Sequence, residues 1–170
     1  MTEKDSITLP WTVTSHSMDE TRYIAASLTQ LVLPGAVVLL RGEMGSGKTT
    51  LIQAMAESLD CPVKVKSPTF DLVHIYDCGA VRIYHVDFYR VQNADELSIL
   101  DLPYADEGGS LVLAEWGDLL APFYPEHFHL TCESLGPQCR RFRLDALGKA
   151  YQRRWKNWVR TQMTKKGTEA

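Results

Sequence analysis

Short apolar runs alternate with amphipathic segments along this chain of 170 residues, which is the pattern of an α/β fold. Residues 36–41 and 111–116 are mainly apolar, as expected of strands buried on both faces of a sheet. Further strands are predicted at residues 7–15, 65–76, 81–89, 128–132 and 141–144. Pro10 favours an edge position for the first of these, and residues 77–80 predict a hairpin turn between the second and the third.

Apolar residues recur at helical spacing in three longer segments. The first begins after Ser17, which forms a capping box with Glu20, and it ends before Pro34. The second covers residues 48–59, and the third covers residues 151–163 and carries an aromatic stripe. The stripe consists of Tyr151, Trp155, Trp158 and Met163. A short helix is also predicted at residues 94–100, with Asn93 as its cap.

A glycine-rich loop lies between the first apolar run and the second predicted helix. Residues 42–49 read Gly-Glu-Met-Gly-Ser-Gly-Lys-Thr, which is the GxxxxGK[ST] pattern of a phosphate-binding loop. Glycines let the backbone amides of such a loop turn toward phosphate oxygens, and the helix N-terminus adds further donors. The lysine of the motif reaches the β- and γ-phosphates, and the hydroxyl that follows it binds Mg²⁺. The predicted binding residues are Gly42, Gly45, Ser46, Gly47, Lys48, Thr49 and Thr50.

This motif makes ATP and Mg²⁺ the predicted cofactors and narrows the fold class. We predict one domain over residues 1–170, with an α/β P-loop NTPase fold and a mixed central sheet flanked by helices. A basic C-terminal helix is expected at about residues 148–165. Residues 1–135 carry 8 Lys and Arg against 19 Asp and Glu, whereas residues 136–170 carry 10 against 2. Three interpretations of this basic segment stay open: a solvated helix face, a contact with a polyanion, and a contact with an acidic partner surface.

Two acids at strand ends are candidates for the metal site and for the attacking water. Glu115 ends an apolar strand, as in the Walker B pattern, and Asp87 follows His85 by two residues at the end of another. The period of two places His85 and Asp87 on one face. We assign Glu115, with Thr49, to the Mg²⁺ site and Asp87 to positioning water or sensing the γ-phosphate. The reverse assignment stays open, as does a structural role for one of the acids.

The amino-acid composition and the cysteines of the chain indicate its cellular compartment. Apolar residues make up 45% of the chain and charged residues 23%, which is an ordinary globular balance. The N-terminus lacks the apolar core of a signal peptide, and no apolar run approaches the ~20 residues of a membrane span. The cysteines form no CxxC pair, so we predict reduced thiols and a cytoplasmic chain without membrane contact. They are Cys61, Cys78, Cys132 and Cys139.

Several motifs follow the glycine loop in a specific order. They are Ser67-Pro68-Thr69-Phe70, His85-Val86-Asp87-Phe88-Tyr89-Arg90, Asp95-Glu96-Leu97 and Glu115-Trp116. Their order and spacing closely resemble the TsaE (formerly YjeE) family over roughly residues 15–145. The resemblance implies an ATPase that works with TsaD and TsaB homologues, with turnover that is weak alone and raised by these partners. The partners place a threonylcarbamoyl group on the adenosine beside the anticodon in tRNAs that read codons starting with A, so contact with tRNA would be indirect.

The resemblance also implies roles for individual residues. Residues 67–70 have the position of a switch loop, in which Ser67 and Thr69 would sense the γ-phosphate. Trp116 would pack over the nucleotide or the switch loop, although a place in the core is the alternative. Thr21 matches a threonine near the nucleotide, and Arg140 would reach phosphate or a partner. The expected catalytic residues are Lys48, Thr69, Asp87 and Glu115.

Other functions stay open at this point. Asp71 and residues 117–118 depart from the family pattern, which puts the hydrogen bonding of the switch loop and the path of the next loop in doubt. A small-molecule P-loop kinase is the alternative function, and a scaffold that binds ATP without hydrolysing it is another. Nucleotide kinases usually carry an arginine-bearing lid. Residues 116–139 contain no Lys or Arg, which counts against a kinase.

Overall fold

A computed structural model describes residues 9–68, 71–103 and 108–168 of the chain. In these ranges the elements are β1 (Trp11–Ser15), α1 (Met18–Val32), β2 (Ala36–Arg41), α2 (Lys48–Ser58), β3 (Val73–Cys78), β4 (Val81–Asp87), β5 (Ser110–Glu115), β6 (His127–Ser134), β7 (Arg140–Leu147) and α3 (Lys149–Thr168). Ala94–Ile99 and Gly117–Leu120 form 3-10 helices. None of the helices in the described ranges is long and apolar enough to cross a bilayer.

The strands form one mixed sheet in the order β1-β7-β6-β2-β5-β4-β3. The centre is parallel, because β2 pairs with both β5 and β6 and β5 pairs with β4. The flanks are antiparallel, with β3 on β4, and with β7 between β6 and β1. The predicted α/β class with a mixed sheet and the predicted edge position of β1 are both confirmed.

Strand β2 is the middle of the core and is buried on both faces. Val38 and Leu40 face a cluster built with α1, α2 and α3, while Val37 and Leu39 face a second cluster on the other side of the sheet. Each such side chain contributes about 1.5–3 kcal/mol when it leaves water. The strand that leads into the glycine loop is therefore held from both sides, which gives the loop a rigid base.

Helix α1 is closed at both ends by side chains. The Glu20 amide donates to the Ser17 hydroxyl at 3.1 Å, as the capping box predicts. At the other end the Arg154 guanidinium donates to the carbonyl oxygens of Leu31, Leu33 and Gly35 at 3.0, 3.1 and 2.7 Å. Arg154 is thus half-buried against α1 and is not part of a solvated basic face of α3.

The predicted strand at residues 65–76 is correct only for its last four residues, because β3 starts at Val73. Residues 64–68 have no regular secondary structure, and side chains rather than a neighbouring strand form hydrogen bonds with their backbone groups. Gln53 Nε2 donates to the Val65 carbonyl at 2.9 Å, and the Lys66 amide donates to the Tyr76 hydroxyl at 3.1 Å. The hairpin turn at Gly79-Ala80 is confirmed by the pairing of Cys78 with Val81.

The expectation of four reduced cysteines is wrong for one pair. Cys61 is disulfide-bonded to Cys78, and their Cα atoms lie 4.6 Å apart. Sequence spacing does not reveal this pair, because the contact arises when the end of β3 folds beside the residue that follows α2. Cys132 and Cys139 are free thiols.

Candidate functional site at the glycine loop

The loop between β2 and α2 places glycines where a side chain would collide or strain the backbone. A Cβ on Gly42 would collide with the carbonyl oxygen of Cys132 in β6. Gly47 has φ of 101° directly before Lys48, the first residue of α2, and this left-handed backbone disfavours other residues. Because the first amides of a helix have no partner inside it, the loop and α2 together form a position that favours an anion.

Lys48 is nearly buried, and its ammonium group lies back on the loop. Its Nζ donates to the carbonyl oxygens of Gly42 at 2.7 Å and Glu43 at 2.9 Å, and it lies 3.4 Å from the Ser46 hydroxyl. The same atom is 4.5 Å from the centre of the Trp116 ring, within cation–π range. These contacts keep a charged group at the loop in a low-dielectric setting, where its attraction for phosphate is strong.

Thr49, His85 and Glu115 meet at one carboxylate oxygen. The Thr49 hydroxyl donates to Glu115 Oε1 at 2.8 Å, and His85 Nε2 lies 2.8 Å from the same atom. Strands β4 and β5 bring this about, because Glu115 pairs with Asp87 and His85 lies two residues earlier on the same face. Glu115 is 4% exposed and His85 is 0% exposed.

Asp87 is the second acid of the site, and it connects β4 to residue 67. Its Oδ2 accepts a hydrogen bond from the Ser67 hydroxyl at 3.0 Å, and its Oδ1 accepts one from the Tyr89 amide at 3.0 Å. Ser67 therefore lies beside the acid that sequence reasoning assigned to water or to the γ-phosphate. Thr69, also predicted as catalytic, lies outside the described residues.

Trp116 directly follows Glu115 and has the left-handed backbone conformation φ 55°, ψ 36°. A residue other than glycine adopts this strained conformation only where the surrounding structure requires it. Its ring lies between the Lys48 ammonium and the Tyr89 ring, whose centre is 5.4 Å away. Trp116 is therefore half-buried, and it both lines the cavity beside Lys48 and packs against the second core cluster.

A cavity of about 350 Å³ gathers most of the predicted residues. Its lining includes Gly45, Gly47, Lys48, Thr49, Thr50, Ser67, Asp87, Glu115, Trp116 and Arg140. Gly42 and Ser46 lie on the other side of the loop, where they line a separate cavity of about 550 Å³. The predicted residues thus surround the loop rather than facing one space.

Thr21 and Arg140 belong to a neighbouring cavity of about 300 Å³. Thr21 is buried, its hydroxyl is 2.7 Å from that of Ser15, and it does not line the cavity of about 350 Å³. Arg140 lines both cavities beside Gly47 and donates to the Gly136 carbonyl at 2.6 Å. The two cavities share Gly47, Thr50 and Arg140, so they adjoin at the start of α2.

The donor set fits a hard divalent cation. The Thr49 hydroxyl and the Glu115 carboxylate are oxygen donors in hydrogen-bond contact with each other at the cavity wall. Mg²⁺ prefers oxygen donors and is commonly bound by one or two carboxylates together with substrate phosphates. Among the described residues no group of three or more His, Cys, Asp and Glu side chains gathers at a potential metal site. Phosphate oxygens and water would complete such a site.

Three further cavity residues were not predicted from the sequence. Tyr89 and Arg90 belong to the His85–Arg90 motif but were assigned no role, and Met44 is a variable position of the glycine loop. Tyr89 is 54% exposed and Met44 is 70% exposed, so apolar surface borders the opening of the cavity. The motif was a usable signal for Tyr89 and Arg90, whereas nothing in the pattern distinguishes Met44.

A strand, a GxxxxGKT loop and a helix that begins at the lysine make up the unit that defines P-loop proteins. The family model described as threonylcarbamoyl adenosine biosynthesis protein TsaE matches residues 15–142. The chain therefore belongs to the TsaE family, a family named for the biosynthesis of threonylcarbamoyladenosine in tRNA.

Individual relatives support this assignment. The protein from Bacillus subtilis named tRNA threonylcarbamoyladenosine biosynthesis protein TsaE is 33% identical over 135 residues, which is 79% of this chain and 84% of the relative. A Nostoc protein of the same name is 33% identical over 114 residues, or 65% of this chain and 69% of the relative. The crystal structure of Bacillus subtilis YdiB superposes with a TM-score of 0.67 at 26% identity, covering 89% of this chain and 95% of that one. The resemblance inferred from the motifs is confirmed.

Proposed function

We propose that this chain is a Mg²⁺-dependent ATPase subunit that acts in the cytoplasm with TsaD and TsaB homologues in threonylcarbamoylation of tRNA. The observation that supports the ATPase most strongly is the meeting of the Thr49 hydroxyl and the Glu115 carboxylate beside Lys48. These groups lie in one cavity at the start of α2. Family membership supports the pathway.

In this proposal each side chain has one task. Lys48 exchanges its contacts with the Gly42 and Glu43 carbonyls for phosphate oxygens. Thr49 and Glu115 would hold the cation, which would supply positive charge to offset the negative charge of the phosphates.

The remaining groups act on the attacking water and on the state of the nucleotide. Asp87 accepts a hydrogen bond from the attacking water and orients it, and the Ser67 hydroxyl on Asp87 links this acid to the segment before β3. Arg140 contributes charge from the side of the groove next to Gly47. Substrate positioning and charge stabilisation are the main sources of rate in phosphoryl transfer.

The proposal is tested by ATP turnover of the pure chain, alone and with TsaD and TsaB homologues from the same cell. We expect slow hydrolysis alone and faster hydrolysis with the pair, and both require Mg²⁺. Glu115→Gln removes the charge but keeps the shape of the side chain, and it should lower turnover by about 100-fold or more. The matched control is Glu57→Gln, an exposed glutamate near the end of α2 away from the loop, which should leave turnover unchanged.

Three results would overturn the proposal. Normal turnover by Glu115→Gln would show that the carboxylate is not needed. Transfer of phosphate to a small acceptor without partners would favour the alternative, a P-loop kinase. Binding of ATP with no hydrolysis under either condition would favour a scaffold.

A further inference from the structure

His85 is a fully buried polar residue that the proposed steps do not use. It lies in β4 at 0% exposure, and the cavity of about 350 Å³ is lined by Asp87 and Glu115 but not by His85. Burial of an imidazole is costly unless its nitrogens find partners. A histidine held in this position therefore calls for an explanation from its contacts.

The contact of His85 is the carboxylate of Glu115. Its Nε2 lies 2.8 Å from Glu115 Oε1. An ionised carboxylate accepts hydrogen bonds and donates none, so Nε2 carries the proton and donates. His85 Nδ1 has no hydrogen-bond partner among the described residues. Within the described residues, the polar contact of the His85 side chain is therefore its hydrogen bond to Glu115.

Glu115 is held from two sides of the structure. The Thr49 hydroxyl donates to Oε1 from α2, and His85 donates to the same oxygen from β4. Two donors on one oxygen fix the rotation of the carboxylate about its terminal bond. In the described part of the chain Oε2 receives no hydrogen bond, which leaves this oxygen for a cation or for the water bound to it.

We propose that His85 is a positioning residue that holds the Glu115 carboxylate in the orientation needed to bind the divalent cation. This inference rests on the proposed function. Groups that hydrogen-bond to metal-binding side chains typically contribute about 10–100-fold to metal affinity. His85 would do so from a fully buried position in β4, at the centre of a paired strand.

The test compares His85→Gln with His85→Asn. The amide nitrogen of Gln reaches the place of Nε2 and can donate to Glu115, whereas the shorter Asn side chain cannot. Affinity for fluorescent ADP is measured with Mg²⁺ and in EDTA, and Mn²⁺ binding is followed by electron paramagnetic resonance. We expect His85→Asn to weaken Mn²⁺ binding by about 10–100-fold and to leave ADP affinity in EDTA unchanged. His85→Gln should recover most of the loss.

The outcomes separate this inference from the proposed function. If the wild-type chain binds nucleotide equally with and without the cation, the proposed function fails and this inference fails with it. If the wild type depends on the cation but His85→Asn binds Mn²⁺ normally, the inference alone fails. It also fails if Asn and Gln are equally weak, or if ADP affinity in EDTA falls as much as Mn²⁺ affinity. Those results would mean that His85 supports the fold of the loop rather than the carboxylate.

Discussion

Two cations, the buried Lys48 at the glycine loop and the half-buried Arg154 at the junction of α1 and α3, make the same kinds of contact. Lys48 donates to two backbone carbonyls of the loop, and Arg154 donates to three carbonyls at and after the end of α1. Each also lies over an aromatic ring, Lys48 at 4.5 Å from Trp116 and Arg154 at 5.6 Å from Tyr151. Their surroundings differ. Lys48 lines an open cavity, whereas Arg154 on α3 packs against the end of α1.

This difference shows how one set of contacts serves two purposes. The carbonyls that Lys48 contacts belong to a loop with cavities on either side, so water can replace the ammonium when it moves to a ligand. The carbonyls that Arg154 contacts lie at and just after the end of α1, where carbonyl groups have no partner inside the helix. Burial lowers the pKa of Arg154, a cost that these three hydrogen bonds offset. We therefore expect Lys48 to serve ligand binding and Arg154 to serve stability.

The largest expected effect comes from Lys48→Ala. Loss of the charge at the phosphate position should lower ATP turnover by about 100–1,000-fold, the scale for loss of one group that stabilises developing charge. The midpoint of thermal unfolding should stay nearly unchanged, because water can reach the loop carbonyls. Turnover assays and calorimetry measure the two quantities on one sample. Lys64→Ala, an exposed lysine outside the site, is the control.

Arg154→Ala should have the opposite profile. It leaves three carbonyls near the end of α1 without their donor, and each buried unsatisfied group costs about 1–3 kcal/mol, partly relieved by water. We expect a loss of about 2–4 kcal/mol in the free energy of unfolding, measured by urea titration, with nucleotide affinity unchanged.

The matched control for this prediction is Arg153→Ala, because Arg153 is the exposed neighbour of Arg154 on the same helix. Its stability should stay within about 0.5 kcal/mol of wild type. Equal losses in the two variants, or a loss of nucleotide affinity in Arg154→Ala, would refute the distinction between Lys48 and Arg154.

The smallest expected effect is on the reactivity of Cys132, a residue of β6 that lies beside the glycine loop. Burial raises the pKa of Cys132 to about 12, so at pH 8 its thiol is protonated and unreactive. Iodoacetamide at pH 8 should therefore label the half-buried Cys139 of the native oxidised chain and spare Cys132, as read by mass spectrometry. Labelling of Cys132 should rise as the pH approaches 12 or when the chain unfolds. Rapid labelling of Cys132 in a folded Cys139→Ser variant at pH 8 would show that the loop region is open from this side.

The sequence predicted the local units well. The apolar run of β2, the glycine loop and α2 are neighbours in the chain, and each has a strong pattern of its own. The capping of α1 and the turn at Gly79 were readable for the same reason, since turn and cap residues act within a few positions. The weaker strands β6 and β7 were predicted too short, because their exposed faces carry charged residues such as Glu133 and Arg141.

The sequence predicted which residues belong to the site, but it predicted less well how these residues are arranged in space. Glu115 and Asp87 were identified because each ends a strand, but their positions depend on the pairing of β4 with β5. Thr21 lines the neighbouring cavity, which shares Gly47, Thr50 and Arg140 with the cavity at Lys48, so its place near the nucleotide stays a prediction. A motif match carries no information on which side of the loop a residue faces.

By itself the sequence determined the fold class, the glycine loop and the family, because these depend on local periodicity and on short motifs. Only the tertiary structure decided which residues meet across long separations. Thr49 and Glu115 are 66 residues apart in the chain, and Arg154 is 119 residues from Gly35. The bond between Cys61 and Cys78 and the hydrogen bond from His85 to Glu115 belong to the same group. Strand register and helix packing set these contacts, and both result from burial of the whole core rather than from any one segment.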